Sequence, residues 1–271
     1  MSNVRHPVPI SRMTTSTRSL QLFFPLVFAL SVPFWLIGRA SSWQLLPGVP
    51  VSALMFVCPC LAAALLTYRD YGANATVELF KRSFDYRRIA AKVWLIPILL
   101  LLPAAMLLSF AAMRLLELPL PTPEISVLSV PLLFAAFFVA ALGEELGWSG
   151  YAIEPLQERW HALPASLMLG AVWAAWHIVP LRQAGHASNW IAWWCLMTVV
   201  LRVLHTWLYN NTGRSVFGAA LFHTSANVSW QMFPNYGSHY DPKITGLILA
   251  TTAAFVVLIW GPRSLSRYTN A

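Results

Sequence analysis

Charge is what this sequence lacks. Asp, Glu, Lys and Arg together make up 10% of its 271 residues, against about 25% in ordinary soluble proteins. A soluble domain of this length cannot cover itself with so little charge, so a water-facing globule is excluded. Cysteine is scarce too, with three residues. Cys58-Pro-Cys60 lacks the Cys-x-x-Cys spacing of redox or zinc motifs and lies in an apolar run, so it reads as core packing, as does Cys195. There is no His-Glu-x-x-His and no visible internal repeat. No long linker or composition shift divides the chain, which reads as one domain.

What is present is apolar. Hydrophobic residues reach 58% and the mean hydropathy is +0.60. Apolar runs near Leu20–Ile37, Val51–Thr67, Val93–Leu115, Val127–Ile153, Leu163–Leu181, Trp190–Tyr209, Val216–Phe233 and Ile244–Trp260 are each of spanning length. The expected fold is all-α: a polytopic membrane helical bundle of about eight transmembrane helices. The polar tail 1–18 precedes a single transmembrane domain 19–262, and a short tail 263–271 follows it. The first run has a basic flank like a signal peptide, but without a persuasive small-x-small cleavage site it reads as a retained anchor.

The net charge of +8 is not gathered on a polar domain, so it points to topology and lipid headgroups, not to nucleic acid. With eight spans, 13 Lys and Arg residues fall on the side of the termini and 4 on the other, with Arg202 inside the sixth span. The positive-inside rule then places both termini in the cytoplasm. Thr76–Lys92 reads as a cytoplasmic interfacial helix, with Leu79, Phe80 and Phe84 set against Lys81, Arg82 and Arg87, or as a solvated basic loop. Trp43, Trp160, Trp190 and Trp260 fall near the expected membrane faces, as an aromatic belt would.

Against this background the ionisable residues inside spans stand out: Glu144 and Glu145, His177, and His223 with Asn227. Each such group costs roughly 2.5–3.5 kcal/mol on insertion scales. Spans four and five form an antiparallel pair, so Glu144 and His177 are level if the turn centres on Trp160–His161. His223 lies nine residues from Arg214, roughly 14 Å deep. The site is thus expected between spans 4, 5 and 7. His223 and Asn227 share a helix face, as do Glu145 and Ser149. Adjacent Glu144 and Glu145 diverge by about a hundred degrees, so one can face a cavity while the other braces a neighbouring helix. A carboxylate in a low-dielectric pocket is a competent general base, a nearby histidine can relay the proton, and a second histidine with an amide can hold an oxyanion. These groups suffice for amide hydrolysis without a serine or cysteine nucleophile.

The run Gly143-Glu-Glu-Leu-Gly-Trp-Ser-Gly-Tyr151 resembles the first motif of the CPBP family, the CAAX-protease and bacteriocin-processing family also called Abi. Trp173-Ala-Ala-Trp-His177 resembles its second motif and His223-Thr-Ser-Ala-Asn227 its third. All three fall in order within 127–233. The resemblance implies an intramembrane endopeptidase in which Glu144 and His177 activate water while His223 and Asn227 hold the oxyanion. It implies a peptide or membrane-protein substrate, lipidated or not, and a prokaryotic plasma membrane. No cofactor is favoured, though Glu144, His177 and His223 could hold zinc with an open position.

One departure matters. The family pattern carries Arg where this chain has Ser149. Glu145 therefore becomes protonated, bonds Ser149 or finds another cation, and Arg202 either replaces the missing Arg or snorkels to the interface. His205 is expected to bond a backbone carbonyl, and His6, His186 and His239 to be solvated. Trp148, Trp173 and Trp176 are expected to wall the cavity. A proton-coupled carrier would also need buried Glu and His, but no inverted repeat is evident. A catalytically silent scaffold or immunity relative is the other alternative, and Ser149 is the feature that favours it.

Overall fold

The computed structural model describes residues 17–122 and 128–267. Almost all of the expected tail 1–18 and residues 268–271 of the C-terminal tail lie outside the described residues. The helices are α1 (Thr17–Ala40), α2 (Val57–Tyr71), α3 (Ala73–Lys81), α4 (Leu95–Leu115), α5 (Ser129–Gly147), α6 (Ile153–Trp160), α7 (Ala162–Gln183), α8 (Ser188–Asn211), α9 (Val216–Gln231) and α10 (Pro242–Trp260). A π-helical turn, Trp148–Ala152, joins α5 to α6 without a break. The expected polytopic helical bundle is what forms.

Among the described residues seven helical segments are long and apolar enough to cross a membrane, with α5 to α6 acting as one. The expected seventh run differs. It forms α9, a helix of 16 residues, about 24 Å long and short of a hydrocarbon core of about 30 Å. The physical reason is its position: α9 is sheathed by α4, α5 and α8, and most of its residues are buried in the bundle. It matches protein neighbours and not lipid.

Direction alternates along the chain, so two faces can be defined. At the first, Ser19 donates to Asp70, Arg82 bonds Glu154 at 3.1 Å, and Asn211 Nδ2 donates to the Leu265 carbonyl at 2.7 Å. The start of α1 and the chain beyond α10 therefore share this face. At the second, Gln183 Nε2 donates to the Trp35 carbonyl at 2.8 Å and Trp190 Nε1 to that of Tyr240 at 3.1 Å. A short antiparallel hairpin, β1 (Gln44–Leu46) and β2 (Val49–Pro50), also lies there. The sequence reading contains no such hairpin, whose two short strands carry too few residues for a period-two pattern.

Loop chemistry sets the helix starts. Ser215 Oγ accepts from Gly218 N at 3.0 Å, while Asp85 reaches over to accept from Val216 N and Phe217 N at 3.2 and 3.0 Å. Together they satisfy the free N–H groups at the head of α9. The α6–α7 turn falls at His161, which has φ 65°, as the reading of the Trp160–His161 turn requires. Ala162 N and Leu163 N then donate to the carbonyls of Arg263 and Pro262 at 2.8 and 3.0 Å.

The segment Thr76–Lys92 differs from either expectation. Its helical part ends at Lys81 and short 3-10 turns follow. Leu79 is buried while Phe80 and Phe84 are exposed. Arg82 turns inward, donating to the Gly150 carbonyl at 2.6 Å and to Glu154 at 3.1 Å, and bonding Tyr209. A carbonyl in the π-turn and an ionised carboxylate outcompete headgroup water for this guanidinium.

Candidate active site

Close helix contacts made by glycine place the motif. A Cβ on Gly147 would sit 2.6 Å from the Pro59 backbone, and one on Gly143 would sit 2.8 Å from the Phe56 ring. This Gly-x-x-x-Gly spacing lets α5 press against α2. Glu144 and Glu145, lying between the two glycines, are turned away from that seam. Gly170 does the same for α7 and α8: a Cβ there would meet Val199 Cα at 2.9 Å and Arg202 Cβ at 3.1 Å.

The two glutamates have separate surroundings. Glu145 is fully buried and receives Arg202 in a fork, Nη1 to Oε2 at 3.0 Å and Nη2 to Oε1 at 3.1 Å. Ser149 also donates to it, and His223 Nδ1 stands 3.1 Å from Oε1. Arg202 is 1% exposed, so it does not snorkel. It supplies from α8 the cation that the family pattern carries at the position of Ser149. Its Cζ lies 4.1 Å from the centre of the Trp173 ring, within cation–π range.

Glu144 faces elsewhere. Its Oε2 accepts from Trp173 Nε1 at 2.8 Å and from Trp148 Nε1 at 3.3 Å. These indoles were expected to be walls, and they are hydrogen-bond donors as well. His177 Nδ1 donates to the Trp173 carbonyl at 2.9 Å. A carbonyl only accepts, so Nδ1 carries the proton and Nε2 of the neutral ring keeps its lone pair. Trp176 packs on His177 with ring centres 4.7 Å apart and donates to Ser31 Oγ at 2.8 Å. Trp173 is the shared support, touching Glu144, Arg202 and His177 together.

Glu144, His177, His223 and Asn227 all line one cavity of about 480 Å³. The structure therefore gathers four of the five sequence-predicted residues around one space and puts the fifth, Glu145, behind them. Its remaining wall is almost wholly uncharged, including Phe137, Trp173, Trp194 and Leu201. Among the described residues no group of three His, Cys, Asp or Glu is gathered in a way that could hold a metal ion. One Glu144 oxygen is held by two indoles, and His223 Nδ1 is turned to Glu145.

His205 is the polar residue that sequence reasoning misplaced. It does not bond a carbonyl. Neither ring nitrogen has a hydrogen-bond partner among the described residues, and Nδ1 lies 3.9 Å from Glu145 Oε1. The ring is wedged edge-on against Trp173, Phe222 and His223. Its signal was available: His205 follows Arg202 by three positions, so one buried polar residue on α8 brings the other to the same face. His186 is not freely solvated either; it stacks on Trp190 with ring centres 3.7 Å apart at the cavity wall.

Residues 126–229 match the family model described as type II CAAX prenyl endopeptidase Rce1-like. The chain is also 26% identical to a protein of Methanococcus maripaludis named CAAX prenyl protease 2, over 88% of this chain and 93% of the relative. The helical fold is that of a polytopic membrane protein with a polar site buried inside it. The three motifs fall within the matched region, and both comparisons liken the chain to CAAX prenyl endopeptidase-like proteases.

Proposed function

We propose that the chain is an intramembrane endopeptidase in which Glu144 and His177 activate water and His223 with Asn227 holds the oxyanion. The observation that carries this reading is the division of labour between adjacent carboxylates: Glu145 is neutralised by Arg202, whereas Glu144 takes two indole donors, with no cation bonded to it among the described residues, and opens on the cavity. Water bound between Glu144 and His177 Nε2 attacks the scissile carbonyl carbon and gives its proton to Glu144. The carbonyl oxygen becomes an oxyanion facing His223 and Asn227. As the C–N bond breaks, Glu144 returns that proton to the leaving nitrogen, so one water and one amide become an acid and an amine. His223 Nδ1 faces Glu145 Oε1 at 3.1 Å, which leaves Nε2 as the ring nitrogen that meets the oxyanion.

The archaeal relative is named a CAAX prenyl protease. Carried to this chain, that name makes a prenylated or otherwise apolar peptide or membrane protein the substrate, and the uncharged cavity wall suits one. The host membrane is a prokaryotic plasma membrane with both termini cytoplasmic. Ser149 no longer favours a silent scaffold, because Arg202 supplies the missing cation. The test is a survey of peptide termini in membranes from cells making wild type or Glu144→Gln at equal levels. New termini confined to the wild type support the reading; identical termini with both proteins folded overturn it. A chelator should leave those termini unchanged, and their loss with recovery on added zinc would refute the metal-free form.

A further inference from the structure

The cavity and the basic residues lie on opposite sides of the site. Among the described residues ten Lys and Arg side chains belong to the first face, from Arg69 to Arg267, against Arg39, Arg114, Arg182 and Lys243 at the second. Between Glu145 and the first face the bundle is solid. Ile153, Leu156, Leu208, Tyr209, Val216 and Ala219 are each at most 2% exposed, and Arg82 with Glu154 and Tyr209 closes the layer above them. The nine residues from Glu145 to Glu154 make that plug about 14 Å thick.

Towards the second face the site is open. The cavity that holds Glu144, His177, His223 and Asn227 continues past the β1–β2 hairpin at Leu46 and Val49 to Ala184, His186 and Tyr240. His177 is six residues from the end of α7 and His223 eight from the end of α9, or about 9 and 12 Å. The cavity also reaches Leu132 on α5, a residue 74% exposed on the outside of the bundle, so an apolar chain in the lipid can approach from the side.

Positive charge marks the cytoplasmic face of a membrane protein. We infer that the site takes its substrate from the extracytoplasmic side. The substrate class is then a peptide, or a membrane-protein segment, that has been moved across or into the outer half of the membrane and carries uncharged apolar or lipid-modified residues beside the scissile bond. This inference rests on the peptidase reading for its chemistry, but the direction of access is independent of it.

The test uses the full chain in intact cells with a membrane-impermeant maleimide as the probe and the unsubstituted chain as background. Ser42→Cys reports the second face, Asn74→Cys the first, and Ala184→Cys the cavity; Ser42 and Asn74 are exposed and lie outside the site. The expected result is labelling of Ser42→Cys and Ala184→Cys in intact cells, with Asn74→Cys labelled only after the membrane is opened. The reverse pattern overturns the inference whether or not the chain cleaves anything. In the Ala184→Cys chain the Glu144-dependent termini should also vanish when the reagent is applied outside. Their persistence despite complete labelling, with cleavage sites mapping to cytoplasmic segments, overturns outward access and leaves the peptidase standing. Absence of any Glu144-dependent termini would instead remove the peptidase reading, and labelling alone would still decide the direction.

Discussion

Glu145 and Glu154 lie on one continuous helical run, nine residues apart, and they are held in nearly the same way at two depths. Glu145 takes the fork of Arg202 and a serine hydroxyl; Glu154 takes Arg82, Arg214 and a tyrosine hydroxyl. The deeper pair is 0% and 1% exposed, whereas the Glu154 side chain is 29% exposed and Arg214 44%. At the shallow site water can replace a lost partner. At the deep site it cannot, and an unpaired charge remains in the bundle. The same comparison isolates Glu144, which has the depth of Glu145 without its cation. A carboxylate held at such depth by two indole donors is what the proposed general base requires.

That contrast makes Glu144→Gln the variant with the largest effect on turnover. A general base contributes about 10²–10⁴-fold, so the appearance of new termini should fall by that order while the thermal midpoint in detergent stays close to wild type. Glu145→Gln and Arg202→Gln should do the opposite first, each unfolding the protein more easily, because breaking a buried pair costs about 3–5 kcal/mol. The double variant should lose little more than either single one. Additive losses in a thermal-denaturation cycle would show that the two residues are stabilised independently and would remove Arg202 as the substitute cation.

Trp173→Phe sharpens the same division. The ring and the backbone carbonyl remain, so the support of Arg202 and His177 survives, but the N–H to Glu144 is gone. A hydrogen bond to a charged group is worth about 1.5–3 kcal/mol, equivalent to roughly a ten- to hundred-fold drop in cleavage rate. A rate equal to wild type, measured on the same substrate, would show that the indole N–H does not orient the base.

The spans and the motif residues were legible in the sequence because hydropathy and charge are one-dimensional signals: the α7 and α8 boundaries fall within two residues of the apolar runs. The divergence of Glu144 from Glu145 was legible from helical periodicity alone. What could not be read was lateral neighbourhood. Nothing in the spacing says that Arg202 points at Glu145, since that depends on Gly170 letting α8 close on α7. The indole bond from Trp173 to Glu144 and the inward turn of Arg82 belong to the same kind, contacts between elements far apart in the chain. The shortness of α9 escaped because its run is apolar enough to span, and only its burial among other helices removes the need to match lipid.

The shallow cluster gives the smallest effects and the finest control. Arg82 and Arg214 both reach Glu154, but Arg82 is 11% exposed and also holds the Gly150 carbonyl inside the π-turn, whereas Arg214 is largely in water. Arg214→Gln should therefore lower stability by at most about 1 kcal/mol, the usual worth of an exposed pair. High salt should erase the difference from wild type, because screening removes what little the pair contributes. Arg82→Gln should cost more and should keep its deficit at high salt, since a π-turn carbonyl and a tyrosine hydroxyl lose their donor together. The π-turn directly follows Glu144 and Glu145, so Arg82→Gln should also slow cleavage while Arg214→Gln leaves it unchanged. Thermal scans and terminus yields across a salt series measure both. If the two variants behave alike, the shallow cluster is only a surface ion pair, and the geometry of the motif helix is set entirely from within the bundle.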